Sequence, residues 1–488
     1  MEYQNPVIKG FYPDPSVCKA GNKYYLAASS FHYFPGVPIF ESYDLVNWTQ
    51  VGFALTRREQ LDLDGVPSSG GIFAPTIRYN DGRFYMVTAN DTLHKNFYVW
   101  TDDVTGEWSD PIFVDQNGID PSLMFDGGKV YFLSNGEDDE GVHGIVQCEI
   151  DIATGKKLSA SKCIWKGTGG RFLEAPHMYH INDWYYLTAA EGGTEYGHMI
   201  TYARARDPWG EFESYAGNPV LTNRNKAPYI IQGVGHGELV QDASEEWHFV
   251  CLAFRQIHIW MNYHHLGREV FLAPVTFHDD GWFTAGNDGT CDENYSINGY
   301  FMQEDRKFWA FDTMDRKLDW QFLRNPVPEN YILEPEKLTL KGTPVTLDET
   351  GSPTFICMHQ HDFCFRLKAT ISTDGGEAGI TLYHDETEHY EVAVRNSEDG
   401  WEAVFKVNIG GIKHEQNSVK LSAGTANIGV TANNFGYMFT ANGIMLGGAN
   451  TKYLSSEVCG GFTGTVIGLY AVGNGNTAEF TELEINYE

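Results

Sequence analysis

Apolar positions in the first half of the chain fall into short runs, each opened by a bulky pair and preceded by a turn signal. Five such pairs stand nine and ten residues after a proline or the residue in its place. They are Tyr24-Tyr25 after Pro15, Phe84-Tyr85 after Pro75, Val130-Tyr131 after Pro121, Tyr185-Tyr186 after Pro176, and Trp247-His248 after Glu238. Between the landmarks lie Gly21-Asn22, Asp81-Gly82, Gly127-Gly128, Asn182-Asp183 and Ser244-Glu245. Each copy reads as strand, tight turn, strand. The copies are 60, 46, 55 and 62 residues apart. That period suits a four-stranded blade and predicts a five-bladed β-propeller.

The repeat fades near Trp282, and residues 286–305 are polar and glycine-bearing, as a connection would be. Beyond about residue 320 the pattern becomes simple alternation. Phe363, Phe365, Leu367, Ala369 and Ile371 mark a half-buried strand. Similar stretches follow at 378–383, 389–395, 402–408, 427–432 and 465–471, several of them separated by glycine turns. Short strands without a helical period predict a β-sandwich of jelly-roll type. The expected fold class is all-β, with a propeller over 1–305 and an accessory sandwich over 306–488.

Composition narrows the partners. The 488 residues carry 52 glycines, which suits many tight turns. A formal net charge of −31 would repel nucleic acid and anionic membranes, whereas a neutral, hydroxyl-rich ligand is compatible with it. No run of eighteen apolar residues is present to span a bilayer. The start, Met1-Glu2-Tyr3-Gln4-Asn5, lacks a basic stretch leading into an apolar core, so a cytoplasmic location is expected. The eight cysteines are scattered without a CxxC pair, which argues for reduced thiols and against a zinc site. Self-association into a homo-oligomer stays open.

A propeller gathers equivalent positions of its blades around one axis. The residue before the proline position is Asp14, Ala74, Asp120, Ala175 or Gly237, and the one before that is Pro13, Phe73, Ile119, Glu174 or His236. Asp14, Asp120 and Glu174 thus fall at two adjacent registers on three blades. Singly, each aspartate is an ordinary turn starter; together they supply the carboxyl groups that glycosidic hydrolysis needs, one protonated and one ionised. A third can hold a proton on its neighbour by like-charge repulsion. The difficulty is geometric. Adjacent strand positions point to opposite faces, so the trio can converge only if the strand starts are bulged.

His236 lies in Gly233-Val234-Gly235-His236-Gly237. It reads either as a buried, hydrogen-bonded histidine or as a ligand of a hard ion such as calcium at the propeller axis. Arg268 offers a guanidinium to hydroxyls or carboxylates. Phe31 and Phe73 offer aromatic walls, and the polar stretch Glu191–His198 reads as a functional loop in which Thr194 can bond a hydroxyl.

At these residues the chain resembles glycoside hydrolase family 43. The resemblance rests on Phe11-Tyr12-Pro13-Asp14-Pro15-Ser16, Phe34-Pro35-Gly36-Val37, Ala74-Pro75-Thr76-Ile77-Arg78-Tyr79, Gly118-Ile119-Asp120-Pro121-Ser122, Glu174-Ala175-Pro176-His177 and Gly267-Arg268-Glu269. Trp320-Gln321-Phe322-Leu323-Arg324-Asn325-Pro326 is similar to the accessory sandwich of the family's β-xylosidase branch. The resemblance implies an inverting, exo-acting glycosidase needing no cofactor for its chemistry. In it Asp14 would be the general base, Glu174 the general acid and Asp120 the modulator of the acid's pKa. Arg268, Phe31, Phe73, Thr194 and His236 would contact substrate, and calcium is held near this histidine in some members. The implied substrate is a β-1,4-xylo-oligosaccharide cleaved from its non-reducing end. An α-L-arabinofuranosidase or a bifunctional enzyme is the alternative, and a non-catalytic carbohydrate-binding protein is the rival from another class. In some relatives a sandwich aromatic closes the pocket. Here Val466 stands where a phenylalanine is usual, and no sandwich residue is assigned to the site.

Overall fold

The computed structural model describes residues 2–299 and 303–488. Met1 of the N-terminal stretch, and residues 300–302 of the expected connection, lie outside the described residues. Each of the five anticipated hairpins forms the inner half of an antiparallel blade. The hairpins are Ser16–Ala20 with Lys23–Ala27, Thr76–Asn80 with Arg83–Asn90, Ile119–Asp126 with Lys129–Glu137, Glu174–Ile181 with Trp184–Glu191, and Ile231–Gln241 with Trp247–Arg255. The first strand of each blade touches the first strands of the blades on either side, closing a ring.

The ring is tied at its axis by a buried polar network drawn from every blade. Glu238 takes the proline position of the fifth copy, and its carboxylate accepts the Val17 N–H at 2.7 Å. It also pairs with Arg78. The Arg78 guanidinium donates to the Leu123 carbonyl at 3.0 Å and meets His177 Nδ1 at 3.2 Å. Glu238 is fully buried and His177 nearly so. A charge so placed is tolerable only when paired and hydrogen-bonded, which explains a glutamate where the other copies carry proline.

The expected connection also contains structure. Asn294–Ser296 pairs with Glu2–Gln4, and the segment before blade one lies against Val270 of blade five. The chain start is thereby clasped beside the blade that completes the ring.

The second half is a sandwich of two eight-stranded sheets around one apolar core. Its strands include Phe365–Thr373, Glu377–Tyr383, Glu388–Ser397, Gly400–Ile409, Thr425–Asn433 and Val466–Val472, where alternation predicted them. The division between the halves is less clean than a cut at 305/306 implies. Tyr33–Phe34 of the propeller forms an edge strand of a sandwich sheet by pairing with Gln321–Leu323. Next along the chain, Arg324 is fully buried in a left-handed conformation (φ 61°). It donates to the carbonyls of Val66 and Gly351 and pairs with Glu386. Asn325 exchanges hydrogen bonds with the backbone of Leu61 and Leu63. This segment locks the sandwich onto the crossover between blades one and two, close to Phe31 and Phe73. Among the described residues no helix is long and apolar enough to cross a membrane.

Candidate active site

The strand starts are bulged, and this resolves the register problem. Between Ile119/Asn135 and Ser122/Leu133 the inner strand of blade three advances one residue more than its partner. The same happens between Glu174/Ala190 and His177/Thr188 in blade four. At these bulges Asp120 and Ala175 take left-handed backbone, with φ of 52° and 54°, and Asp14, just ahead of the first strand of blade one, does the same at 55°. Non-glycine residues adopt this region rarely and at a cost, and bulges re-aim side chains next to active sites. The twist turns Asp14 and Asp120 into the same space as Glu174, one register earlier.

The three carboxyl groups line one small cavity of about 70 Å³ together with Phe31, Phe73, Thr194, His236, Arg268 and Phe462. Their environments differ. Asp14 Oδ1 accepts from Arg268 Nη1 at 2.8 Å, and Oδ2 accepts from the Ser29 hydroxyl at 2.6 Å. Burial pushes this carboxyl up, but the Arg268 charge, with the Ser29 hydroxyl, outweighs it and holds it below the usual aspartate range. Asp14 is therefore ionised at neutral pH. Glu174 is pushed up to about 7, first by burial and then by the Asp14 charge, with Arg268 pulling the other way. Asp120 accepts the Ala175 N–H at 3.1 Å. Burial, then Glu174 and Asp14, raise it well above its ordinary value. Asp120 and Glu174 thus titrate as a pair that retains a proton near neutrality. One ionised carboxylate and one protonated pair in a single cavity is the division of labour that acid–base hydrolysis of an acetal requires.

Arg268 is the organiser. It is buried, and besides Asp14 it donates to Thr194 Oγ1 at 2.8 Å and to the Phe462 carbonyl at 3.1 Å. Thr194 is held by the loop seen in the sequence. The fully buried Glu191 carboxylate accepts from Thr168 N, Gly170 N and Thr201 Oγ1, pinning the strand end to the segment that leads to Glu174.

His236 is buried, with Nδ1 3.7 Å from Asp14 Oδ1. Burial lowers its pKa, with Asp14 raising and Arg268 lowering it, so the ring is neutral. Among the described residues, no three His, Cys, Asp or Glu ligand atoms gather at His236 closely enough to hold an ion. Calcium seeks six to eight oxygens, whereas the nearest carboxylate, Asp14, already carries Arg268 and Ser29. The side chains present do not by themselves fit a calcium ion, and His236 acts here as an uncharged neighbour of Asp14.

Two contributors lie in stretches that the sequence marks, the 461–466 segment of the sandwich and the loop Glu191–His198, without being assigned to the site there. Phe462 reaches in from the sandwich, with its ring 6.0 Å from those of both Phe31 and Phe73. Its N–H donates to Ser69 Oγ at 2.9 Å. Val466 is instead fully buried at the start of an interior strand, paired with His359 on one side and Tyr383 on the other; the aromatic at the cavity stands four residues upstream. The other is His198, buried with Nδ1 against the Gly233 carbonyl at 3.1 Å. A Cβ on Gly235 would lie 2.2 Å from that ring, which accounts for the glycine beside His236. A wider cleft of about 360 Å³ opens from the cavity past Glu174, Thr194 and Phe462 toward Tyr196, His264 and Glu457.

Known proteins share this architecture. A model described as Glycosyl hydrolases family 43 matches residues 3–283, and one described as Beta xylosidase C-terminal Concanavalin A-like domain matches 310–486. A non-reducing end α-L-arabinofuranosidase of Bacteroides ovatus is 38% identical over 98% of this chain and 93% of its own. A xylosidase/arabinosidase of Butyrivibrio fibrisolvens is 36% identical over 97% and 96%. The solved structure of a xylan β-1,4-xylosidase from Bacillus halodurans superposes with a TM-score of 0.91 at 30% identity, covering 99% of each chain. The chain belongs to the glycosyl hydrolases of family 43.

Proposed function

We propose that this glycoside hydrolase removes single β-1,4-linked xylose units from the non-reducing ends of xylo-oligosaccharides, with inversion. The observation that carries the reading is the cavity itself. Phe31, Phe73 and Phe462 form one aromatic wall of it, Asp14, Asp120 and Glu174 line it, and it continues into the wider cleft. In this reading the terminal sugar sits against the three carboxyl groups, and the cleft receives the remainder of the chain as leaving group.

In this mechanism Asp14, ionised, takes a proton from a water that attacks the anomeric carbon. Glu174, protonated, gives its proton to the departing glycosidic oxygen. Asp120 keeps that proton on Glu174 until the leaving group needs it. Arg268 fixes Asp14 and Thr194 and presents donors toward the sugar. Inversion requires room for the water, so the base and acid carboxyls would stand roughly 6.5–9.5 Å apart across the substrate. The eight cysteines are unpaired, which supports the cytoplasmic location expected from the sequence and a diet of short, imported oligosaccharides.

A second reading, release of α-L-arabinofuranose by the same residues, is favoured by the names of the two full-length relatives. The test is a proton NMR time course on xylobiose, with the nitrophenyl β-xyloside and α-L-arabinofuranoside compared in parallel. First appearance of α-xylose supports the proposal. First appearance of β-xylose refutes inversion. Turnover of the arabinofuranoside alone moves the substrate to the second reading. Binding of both glycosides without turnover of either would make the protein a lectin.

A further inference from the structure

We propose a site for one divalent transition-metal ion of the zinc class in the sandwich, held by His384, Asp385 and Cys459. Sequence spacing hides it, because the cysteine stands far from the other two ligands along the chain and no CxxC pair announces it. The fold brings them together. His384 and Asp385 open the turn between Glu377–Tyr383 and Glu388–Ser397, and Cys459 ends the short helix Ser456–Cys459 packed over that turn. One ligand atom from each of the three lies within 4.8 Å of the other two. Metal–ligand bonds of roughly 2.0–2.3 Å require an inward move of about an ångström to complete a tetrahedral set.

Each ligand is prepared in a different way. His384 is 1% exposed, yet neither ring nitrogen has a hydrogen-bond partner. The Gly460 and Leu454 carbonyls lie near the ring without hydrogen-bond geometry. A buried imidazole left without partners is costly and calls for a specific reason; a cation supplies one. Asp385 is aimed by three donors on a single oxygen. The Thr387 N–H, Thr387 hydroxyl and Glu388 N–H reach Oδ1 at 2.7, 3.0 and 2.9 Å. The carboxyl is thereby oriented in the way outer-shell hydrogen bonds orient metal-binding carboxylates. Cys459 Sγ lies against the Tyr453 carbonyl at 3.2 Å. The thiolate is the ligand form of cysteine, so binding a cation there releases the thiol proton. One nitrogen, one carboxylate oxygen and one sulfur suit zinc or cobalt rather than calcium or magnesium, with water completing the fourth position.

The ion would brace the active-site wall. Glu457, inside the same helix, accepts from the Tyr196 hydroxyl at 3.0 Å and from the His264 ring at 2.8 Å. The chain then runs through Gly460 and Gly461 to Phe462, whose carbonyl receives Arg268. A metal tying Cys459 to the His384-Asp385 turn therefore fixes the segment that closes the sugar cavity.

The test uses the full chain, stripped with a chelator and then dialysed with zinc or cobalt. Wild type should retain one equivalent. The cobalt form should show thiolate-to-metal charge transfer and the intense visible bands of a tetrahedral ion. Zinc should raise its unfolding temperature. Cys459→Ser and His384→Ala should lose the retained equivalent and the temperature shift, and His236→Ala should keep both. Near-ultraviolet circular dichroism checks that the variants are folded, and the isosteric Cys459→Ser stands in if His384→Ala is not. No retained metal in wild type overturns the proposal. Retention without a charge-transfer band, or retention that survives Cys459→Ser or is lost in His236→Ala, overturns it equally, since the ion would then sit elsewhere.

Discussion

Glu174→Gln tests the site through stability as well as rate, and the two readouts have opposite signs. In the folded protein Glu174 is raised from an ordinary 4.5 to about 7 by burial and by Asp14. Because the folded value lies above the unfolded one, the neutral carboxyl is harmless below about pH 4.5. Stability is lost progressively as pH rises toward 7, and the loss is complete above it. A displacement of that size corresponds to about 3 kcal/mol, at about 1.4 kcal/mol per tenfold change in proton affinity. Glutamine keeps the shape and cannot ionise. The variant should therefore match wild type at about pH 4 and exceed its unfolding free energy by about 3 kcal/mol at about pH 8, measured by urea denaturation at both. Catalysis moves the other way. Loss of the general acid should slow xylobiose hydrolysis by about 10²- to 10⁴-fold, with much less loss on a dinitrophenyl glycoside, whose leaving group needs no proton. In wild type, kcat/KM should fall above about pH 7 as Glu174 ionises. A variant no more stable than wild type at the higher pH would mean that its surroundings do not hold the carboxyl protonated. The physical basis for calling Glu174 the acid would then be gone.

Asp14→Asn removes the ionised carboxylate and should lower turnover by about 10²- to 10⁴-fold on every substrate, good leaving groups included; selective loss on xylobiose alone would make Asp14 something other than the base. Phe462→Ala strips an exposed sandwich ring from the cavity and should cost about 1 kcal/mol in kcat/KM, roughly fivefold, with little change in unfolding temperature; kinetics identical to wild type would take Phe462 out of the substrate wall. Arg78→Met leaves Glu238 buried without its cation and should destabilise the propeller by about 3–5 kcal/mol, read by urea denaturation; an unfolding midpoint equal to wild type would refute the axial network as a brace. Gly235→Ala drives a methyl into the His198 ring and should destabilise by about 1–3 kcal/mol through overpacking, visible as a lowered melting temperature.

What the sequence reveals here follows from the range of the interactions involved. Hairpins are local, since turn residues and apolar pairs within about ten residues define them, and every one of the five lay where the pattern put it. The carboxyl trio was legible because a propeller converts a repeat register into a spatial position. The bulges that let two adjacent registers share a face were not, because left-handed backbone at Asp14, Asp120 and Ala175 carries no composition signal when the residue is not glycine. The sandwich was readable as alternation, but its contribution to the site was not. Phe462 stands four residues from Val466 and outside any strand, and its place is set by Arg268 on one side and Ser69 on the other. Arg324 shows the same limit, since nothing near residue 324 foretells a guanidinium buried against Val66 and Glu386. A repeat therefore locates what the axis gathers, whereas contacts between the two halves depend on pairings more than 190 residues apart. In this enzyme the carboxyls that line the cavity belong to the first kind, and the Phe462 wall beside them belongs to the second. Hydrolysis as a chemistry was accordingly legible along the chain, while the exo mode of attack became an argument only once Phe462 was seen facing Phe31 and Phe73.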